Sequence, residues 1–153
     1  MMAHLFIPTP YEEQLPVFFN VDAVVGAQPA KNNREDVLLV QFAMQVIANS
    51  PVATTHPDFL AACKKVRVTG VIDTETIEAI RQMQLKNSMP GAIADGRVSP
   101  AKGGASYGQS TYSIAILMNS LQNRNVDVWP RIDKIPGCPV ELQGMVKRTV
   151  AGI

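Results

Sequence analysis

The sequence predicts a mainly α-helical protein: a small helical bundle with an extended N-terminal arm and a C-terminal tail. Apolar residues recur with helical spacing between residues 33 and 123, and prolines interrupt the chain on both sides of this region. The 153 residues are 46% hydrophobic, which suits a domain with its own core. We therefore divide the chain into an arm (1–32), a helical domain (33–123) and a tail (124–153).

The arm contains one strand-like run. Residues 17–25 are rich in β-branched and aromatic side chains and end at Gly26, which predicts an extended strand. No hairpin partner follows it directly, so we expect the strand to pair elsewhere in this chain or with another subunit. The prolines that keep the rest of the arm out of helices are Pro8, Pro10, Pro16 and Pro29.

The first helix is predicted from about residue 34 to residue 48. It is apolar on nearly all sides, and only Gln41 and Gln45 interrupt it. Such a helix is buried all round, either inside this chain or against a partner. The residues suited to its cap and first turn are Asn32, Asn33, Glu35 and Asp36.

Four further helical stretches follow. His56-Pro57 opens a short helix that ends near Lys65, since proline suits a first helical turn. Asp73 or Thr74 caps the next helix, which runs to about Asn87, and Ser110 or Thr111 caps a third main helix that ends near Asn123. A last short helix is predicted over residues 139–150. Trp129 anchors the tail either on the core or on a neighbouring molecule, and its large surface favours the core.

The central region resembles the peptidoglycan-binding-like domain, a three-helix module. The resemblance is carried in order by residues 36–41 (DVLLVQ), 68–84 (VTGVIDTETIEAIRQMQ) and 94–100 (ADGRVSP), and it covers about residues 33–123. It implies a three-helix fold in which glycines allow the turns and glutamines support the bundle. These glycines are Gly70 and Gly96, and these glutamines are Gln41 and Gln84. If the module binds a glycan, the groove beside Asp95–Val98 and the loop 101–107 is the first place to look for the site.

The remaining residue types give little sign of chemistry. The only histidines, His4 and His56, lie in no motif that activates a Ser or Cys nucleophile, and together with Cys63 and Cys138 they lack metal-ligand spacing. We expect no catalytic residues, no metal site and no cofactor, and we expect Glu12-Glu13, Glu35-Asp36, Glu75 and Glu78 to cap helices or to be solvated. The sequence leaves open whether Cys63 and Cys138 pair, and it predicts a connector for the glycine-rich loop 101–109.

Charge limits the partners. Fourteen Lys and Arg against thirteen Asp and Glu give a formal charge of +1, which offers no electrostatic attraction for nucleic acid. No stretch is long and apolar enough to span a membrane, and the first residues lack the pattern of a secretion signal. We therefore expect no nucleic-acid partner, no membrane span, and a location in a virion or in the bacterial cytoplasm.

These observations favour a non-enzymatic structural or adaptor subunit of a larger assembly, such as a phage virion or a contractile injection machine. Charged residues make up only 18% of the chain, which suggests that another molecule covers part of its surface. Docking would use the N-terminal arm and the C-terminal tail, on protein partners or on copies of the same chain. The alternative is a peptidoglycan-binding module that targets a partner to the cell wall. The sequence does not specify its binding residues.

Overall fold

A computed structural model describes residues 3–6, 18–50, 56–86, 94–101 and 113–150. Within these ranges the chain is mainly helical. The helices are α1 (Arg34–Asn49), α2 (Pro57–Lys64), α3 (Thr74–Lys86), α4 (Ser113–Asn123) and α5 (Val140–Val150), with a short 3₁₀ turn at Ile132–Lys134. The strands are β1 (His4–Phe6), β2 (Phe18–Asn20), β3 (Val25–Gly26) and β4 (Arg97–Val98).

The described part of the bundle has five α-helices, so the expected three-helix module is wrong in number. The physical reason is α1, whose residues from Asp36 to Met44 are all buried. Two neighbouring helices cannot cover a helix that is apolar all round. In this fold α1 contacts α2, α4, α5 and β3, so the burial predicted for it is achieved inside the chain.

Helix starts follow local chemistry in two different ways. Asp73 caps α3 as expected, because its Oδ1 accepts a hydrogen bond of 2.8 Å from the N–H of Thr76. Asn33 stands at the cap position of α1 but its side chain makes no capping bond. The neighbouring Asn32 adopts a left-handed φ of 52° and binds Gly26 instead, with Oδ1 accepting from the Gly26 N–H at 2.7 Å.

The strand predicted over residues 17–25 is confirmed in part: β2 and the first residue of β3 lie in it, and the chain bends between them. The carboxylate of Asp36 accepts hydrogen bonds from the N–H groups of Asp22 and Ala23 at 3.1 Å each. Those donors are thereby withdrawn from any strand ladder. The same contact overturns the expectation that Asp36 is solvated, since its side chain is fully buried.

Both halves of that run pair inside the chain. Strand β2 pairs antiparallel with β1, with Leu5 opposite Phe19. Strand β3 pairs antiparallel with β4, with Val25 opposite Val98. In the part of the chain that the structure describes, each of these strands therefore has a partner strand within the same chain.

One hydrophobic core contains residues from all three predicted segments. It includes Ala3 and Phe19 from the arm, most of α1, and Leu142 from the tail. Trp129 packs against the arm as expected of a core anchor, with its ring edge-on to Phe19 and the ring centroids 5.8 Å apart. For the described residues, most of the apolar surface of α1 and of the arm is therefore covered within the chain and not by a partner. The large hydrophobic side chains that stay exposed there are Val71, Leu85, Val126 and Val140.

Candidate functional site

The buried glutamine of α1 holds the turn before α3. The Oε1 atom of Gln41 accepts hydrogen bonds from the N–H groups of Thr69 and Gly70, both at 2.9 Å. Its Nε2 donates to the carbonyl of Val71 at 3.0 Å and to the hydroxyl of Thr76 at 3.2 Å. Gly70 has a φ of +79°, a conformation that favours glycine. We refer to this set of contacts as the first glutamine clamp.

The buried glutamine of α3 repeats the arrangement at the turn before α4. The Oε1 atom of Gln84 accepts from the N–H of Gly96 at 3.0 Å, and its Nε2 donates to the carbonyl of Arg97 at 2.9 Å and to the hydroxyl of Ser113 at 3.0 Å. Gly96 has a φ of +75°. This second glutamine clamp repeats the contact pattern of the first, and both glutamines support the bundle.

Sequence inspection missed this repeat because the spacings differ. Gln41 is 29 residues from its turn glycine, whereas Gln84 is 12 residues from the corresponding Gly96. The interposed α2 accounts for the longer spacing. The available signal was the shared order of glutamine, turn glycine and helix-opening hydroxyl residue, which appears only when the two segments are compared.

The arm packs against the turn at Asp95–Val98. Residues 25–28 lie along this turn, with the N–H of Ala27 donating to the carbonyl of Gly96 at 3.1 Å. The guanidinium of Arg97 donates through Nε to the carbonyl of Ala27 at 3.0 Å and through Nη2 to the carbonyl of Gln28 at 2.6 Å. The arm therefore covers one side of the turn, and the groove proposed there for a glycan stays a prediction.

The predicted loop beside that groove is described only at its first residue. Ala101 is buried, its N–H donates to Oδ1 of Asn20 at 2.9 Å, and its carbonyl accepts from Nδ2 of Asn20 at 2.9 Å. The remainder of the loop 101–109, including Tyr107, lies outside the described residues. The expected caps Ser110 and Thr111 and the pair Glu12-Glu13 lie outside them as well.

An open groove runs between α2 and α3, and we term it the α2–α3 groove. One part has a volume of about 440 Å³, and its apolar lining residues are Ala61 and Ala62. The adjoining part, of about 370 Å³, reaches Lys86, whose ammonium lies 5.3 Å from the centroid of the Phe59 ring. The polar side chains of the first part are Asp58, Lys65, Thr74, Glu75, Glu78 and Gln82.

Sequence analysis placed Glu75 and Glu78 on solvated helix faces, and the observed Glu78–Arg81 ion pair of 3.4 Å fits that expectation. It did not show that this face of α3 meets a polar face of α2 across a groove. Such a meeting depends on how two helices pack, and no periodicity within one helix contains that information. The groove offers carboxylate acceptors and the Gln82 amide to a polar ligand.

The thiols are placed where they are unreactive. Cys63 and Cys138 are both buried and unpaired, which answers the question that the sequence left open. Burial raises the pKa of each thiol to about 12, so both are protonated near neutral pH and are poor nucleophiles. His56 precedes α2, and the side chain of His4 lies outside the described set. Among the residues described, no three His, Cys, Asp or Glu side chains come together as metal ligands.

Comparisons with protein-family models, with curated proteins and with solved structures give no match to this chain. The helices described are all too short or too polar to cross a membrane. Any functional argument therefore depends on the chain's own geometry and on the sequence resemblance.

Proposed function

We propose that this protein is a non-enzymatic structural or adaptor subunit, built on a peptidoglycan-binding-like fold, of an assembly such as a phage virion or a contractile injection machine. The supporting observation is that residues 25–28 pack along the turn at Asp95–Val98, where Arg97 binds the backbone carbonyls of Ala27 and Gln28. A fold that uses this position for its own stability favours a structural role, in a virion or in the bacterial cytoplasm.

The use of the buried polar side chains supports a role without catalysis. Asn20, Asp36, Gln41 and Gln84 are all buried, and each binds backbone groups of another segment. Hydrogen bonds of this kind fix a unique packing. Catalytic groups, in contrast, face a cleft and keep a free donor, acceptor or nucleophile.

Docking would use an outer face of the folded chain. Two of its most exposed apolar side chains, Val71 and Val140, are 63% and 79% exposed. The guanidinium of Arg34 lies between their segments, with Nη1 donating to the carbonyl of Thr69 at 3.0 Å and Nη2 paired with Glu141 at 2.9 Å. This mixed patch of apolar and paired charged groups resembles the composition of protein interfaces.

The test combines solution mass with binding to purified cell-wall sacculi. We expect light scattering to give a mass that rises with concentration above the 16.6 kDa of one chain, and we expect no co-sedimentation with sacculi. Val140→Asp should reduce the association, whereas the matched control Val126→Asp, at a similarly exposed valine, should not. A 16.6 kDa monomer that co-sediments with sacculi would contradict the proposal. Tail or capsid genes beside the coding gene would support it.

The second candidate is peptidoglycan binding, and the α2–α3 groove is the observation that favours it. It is open to solvent, and its carboxylates and amide suit the hydroxyl and amide groups of a glycan. Sacculus binding by the wild type that is lost in the double variant Asp58→Asn/Gln82→Ala would establish this function. Asp127→Asn, at an exposed position outside the groove, is the matched control.

A further inference from the structure

Helix α5 buries one side and leaves the other side open. Leu142, Met145 and Val146 are fully buried in the core. At 3.6 residues per turn, the residues on the opposite side form a stripe about 120° wide, which we term the outer face of α5. All of them are exposed except the glycine, which is half-buried. The outer face consists of Val140, Glu141, Gly144, Lys147 and Arg148.

Gly144 lies at the middle of this face. Among the described residues, an added Cβ would meet a single atom within 4 Å, a guanidinium nitrogen of the flexible Arg148 at 3.4 Å. Glycine is unfavourable in a helix interior compared with alanine. The missing side chain lets a second helix approach closely, since the distance between two helix axes depends on the side chains at their contact.

The charges of the outer face are complementary to the same face turned by half a turn. Glu141 stands three residues before Gly144, and Lys147 stands three residues after it. When two such helices lie antiparallel and cross at the glycine, each acid faces a base of the other copy. An interface around a two-fold axis requires this kind of self-complementarity.

Both charged groups can take part in such a contact. Glu141 is half-exposed and pairs with Arg34 at 2.9 Å, and a carboxylate has further acceptor sites beyond one arginine. Lys147 is exposed and forms no ion pair with a carboxylate of the described residues. Asp133, on which its charge also acts, is paired with Arg131 at 2.7 Å.

We propose that the outer face of α5 binds a second copy of this chain, with the two α5 helices antiparallel across a two-fold axis at Gly144. In this register Glu141 pairs with the partner's Lys147, and Val140 packs on the aliphatic part of the partner's Arg148. Arg34 joins Glu141 to the carbonyl of Thr69, so the turn before α3 flanks the same interface. This inference rests on the proposed function, because it names the partner and the symmetry of the docking.

The test measures the mass of the full chain by sedimentation equilibrium. One helix pair buries little surface, so we expect a weak dimer with a Kd of about 0.1 mM. Lys147→Glu places like charges opposite each other twice and should raise the Kd at least about tenfold. Gly144→Gln should do the same, because its side chain separates the helices. The matched control Lys64→Glu makes the same charge change in the last turn of α2 and should leave the Kd within about twofold.

A mixing experiment tests the register. Glu141→Lys alone should also fail to self-associate, whereas its equimolar mixture with Lys147→Glu should dimerise, because each acid then faces a base again. Circular dichroism checks that each variant folds. If Glu141→Lys does not fold after losing its contact with Arg34, the comparison of Lys147→Glu and Gly144→Gln with Lys64→Glu decides.

A wild-type chain that stays monomeric at about 1 mM, or a mixture of folded variants that stays monomeric, would overturn the antiparallel pairing. Wild-type association that Lys147→Glu and Gly144→Gln leave unchanged would also overturn it. That result would leave the proposed function intact, because the copies would then dock through another face. Binding to sacculi decides the proposed function separately.

Discussion

Buried polar side chains of this protein form hydrogen bonds between segments that are distant in sequence. Asp36 fixes the bend between β2 and β3, Asn20 holds Ala101, and the two glutamine clamps hold the turns before α3 and α4. Because each of these groups is removed from water, the loss of one leaves its backbone partners unsatisfied. The largest single-residue effects on stability are therefore expected at these positions.

The first prediction concerns the first glutamine clamp. Gln41→Ala removes four hydrogen bonds and opens a cavity beside Gly70, so we expect it to lower the free energy of unfolding by about 2–4 kcal/mol. Gln82→Ala, on the partly exposed face of α3, should change it by less than about 0.5 kcal/mol. Urea denaturation measures both values, and equal losses in the two variants would contradict the structural role of Gln41.

The second prediction concerns the acid-range stability. Burial, as the largest cause, raises the pKa of Glu35 above its ordinary 4.5, although Arg148 and the N–H of Ala3 oppose the shift. The native state then holds this proton more tightly than the unfolded state does. Its contribution to stability is therefore greatest below pH 4.5 and is lost as the pH rises through the raised native pKa.

Glu35→Gln removes this titration. The stability of the variant relative to the wild type should therefore increase as the pH rises from about 4 to about 7. The Arg148 ion pair forms only with the ionised carboxylate, and its opposing effect is already included in the net rise of the Glu35 pKa. Denaturation midpoints measured across this range provide the check. The exposed Glu78→Gln is the control, and a relative stability that falls with pH would show that the shift has the opposite sign.

At the scale of elements, the helices could be predicted from the sequence, whereas the pairing of the strands and the bend between β2 and β3 could not. Helical spacing and the cap Asp73 placed α1, α2, α3 and α5 to within a few residues, because these signals are local. The pairing of β3 with β4 joins Val25 to Val98, and the bend before β3 depends on Asp36 in the following helix. Contacts between residues so far apart in sequence produce no periodic pattern in either segment. The α2–α3 groove was missed for the same reason.

The third prediction tests the contact between β3 and β4. Gly26 has a φ of +130°, and an added Cβ would lie only 2.0 Å from the carbonyl oxygen of Gly96. Gly26→Ala should therefore separate the two strands and lower the free energy of unfolding by more than about 2 kcal/mol. Gly144→Ala in α5, where the nearest atom is a flexible arginine nitrogen 3.4 Å away, should raise it by about 0.5–1 kcal/mol. Thermal unfolding of both variants gives the comparison, and a neutral Gly26→Ala would mean that the strands do not approach this closely.

At the scale of the whole molecule, the arm and the tail complete the core of the helical domain. Helix α1 contacts α5 as well as α2 and α4, and α4 contacts β2. The sequence correctly indicated that α1 is covered on all sides but left open whether a partner does the covering. The chain's own segments cover α1. The sequence of α1 alone does not show which segments these are.

The fourth prediction follows from that arrangement. A fragment of residues 33–123 lacks Phe19, Leu142 and Met145, each fully buried in the intact chain. It should lose cooperative unfolding and aggregate, because the faces of α1 and α4 that these residues cover become exposed. Circular dichroism during heating, with the 153-residue chain as the control, measures the difference. A fragment that unfolds as sharply as the full chain would show that the arm and the tail are accessory.

The glutamine clamps also define what evolution can change here. Each position needs a side chain that both accepts hydrogen bonds from and donates them to backbone groups of the neighbouring turn. A carboxamide satisfies this, and asparagine is one methylene too short. Distant homologues of this chain should therefore keep two glutamines, each followed later in the sequence by a glycine with a positive φ, even where the rest of the sequence has diverged.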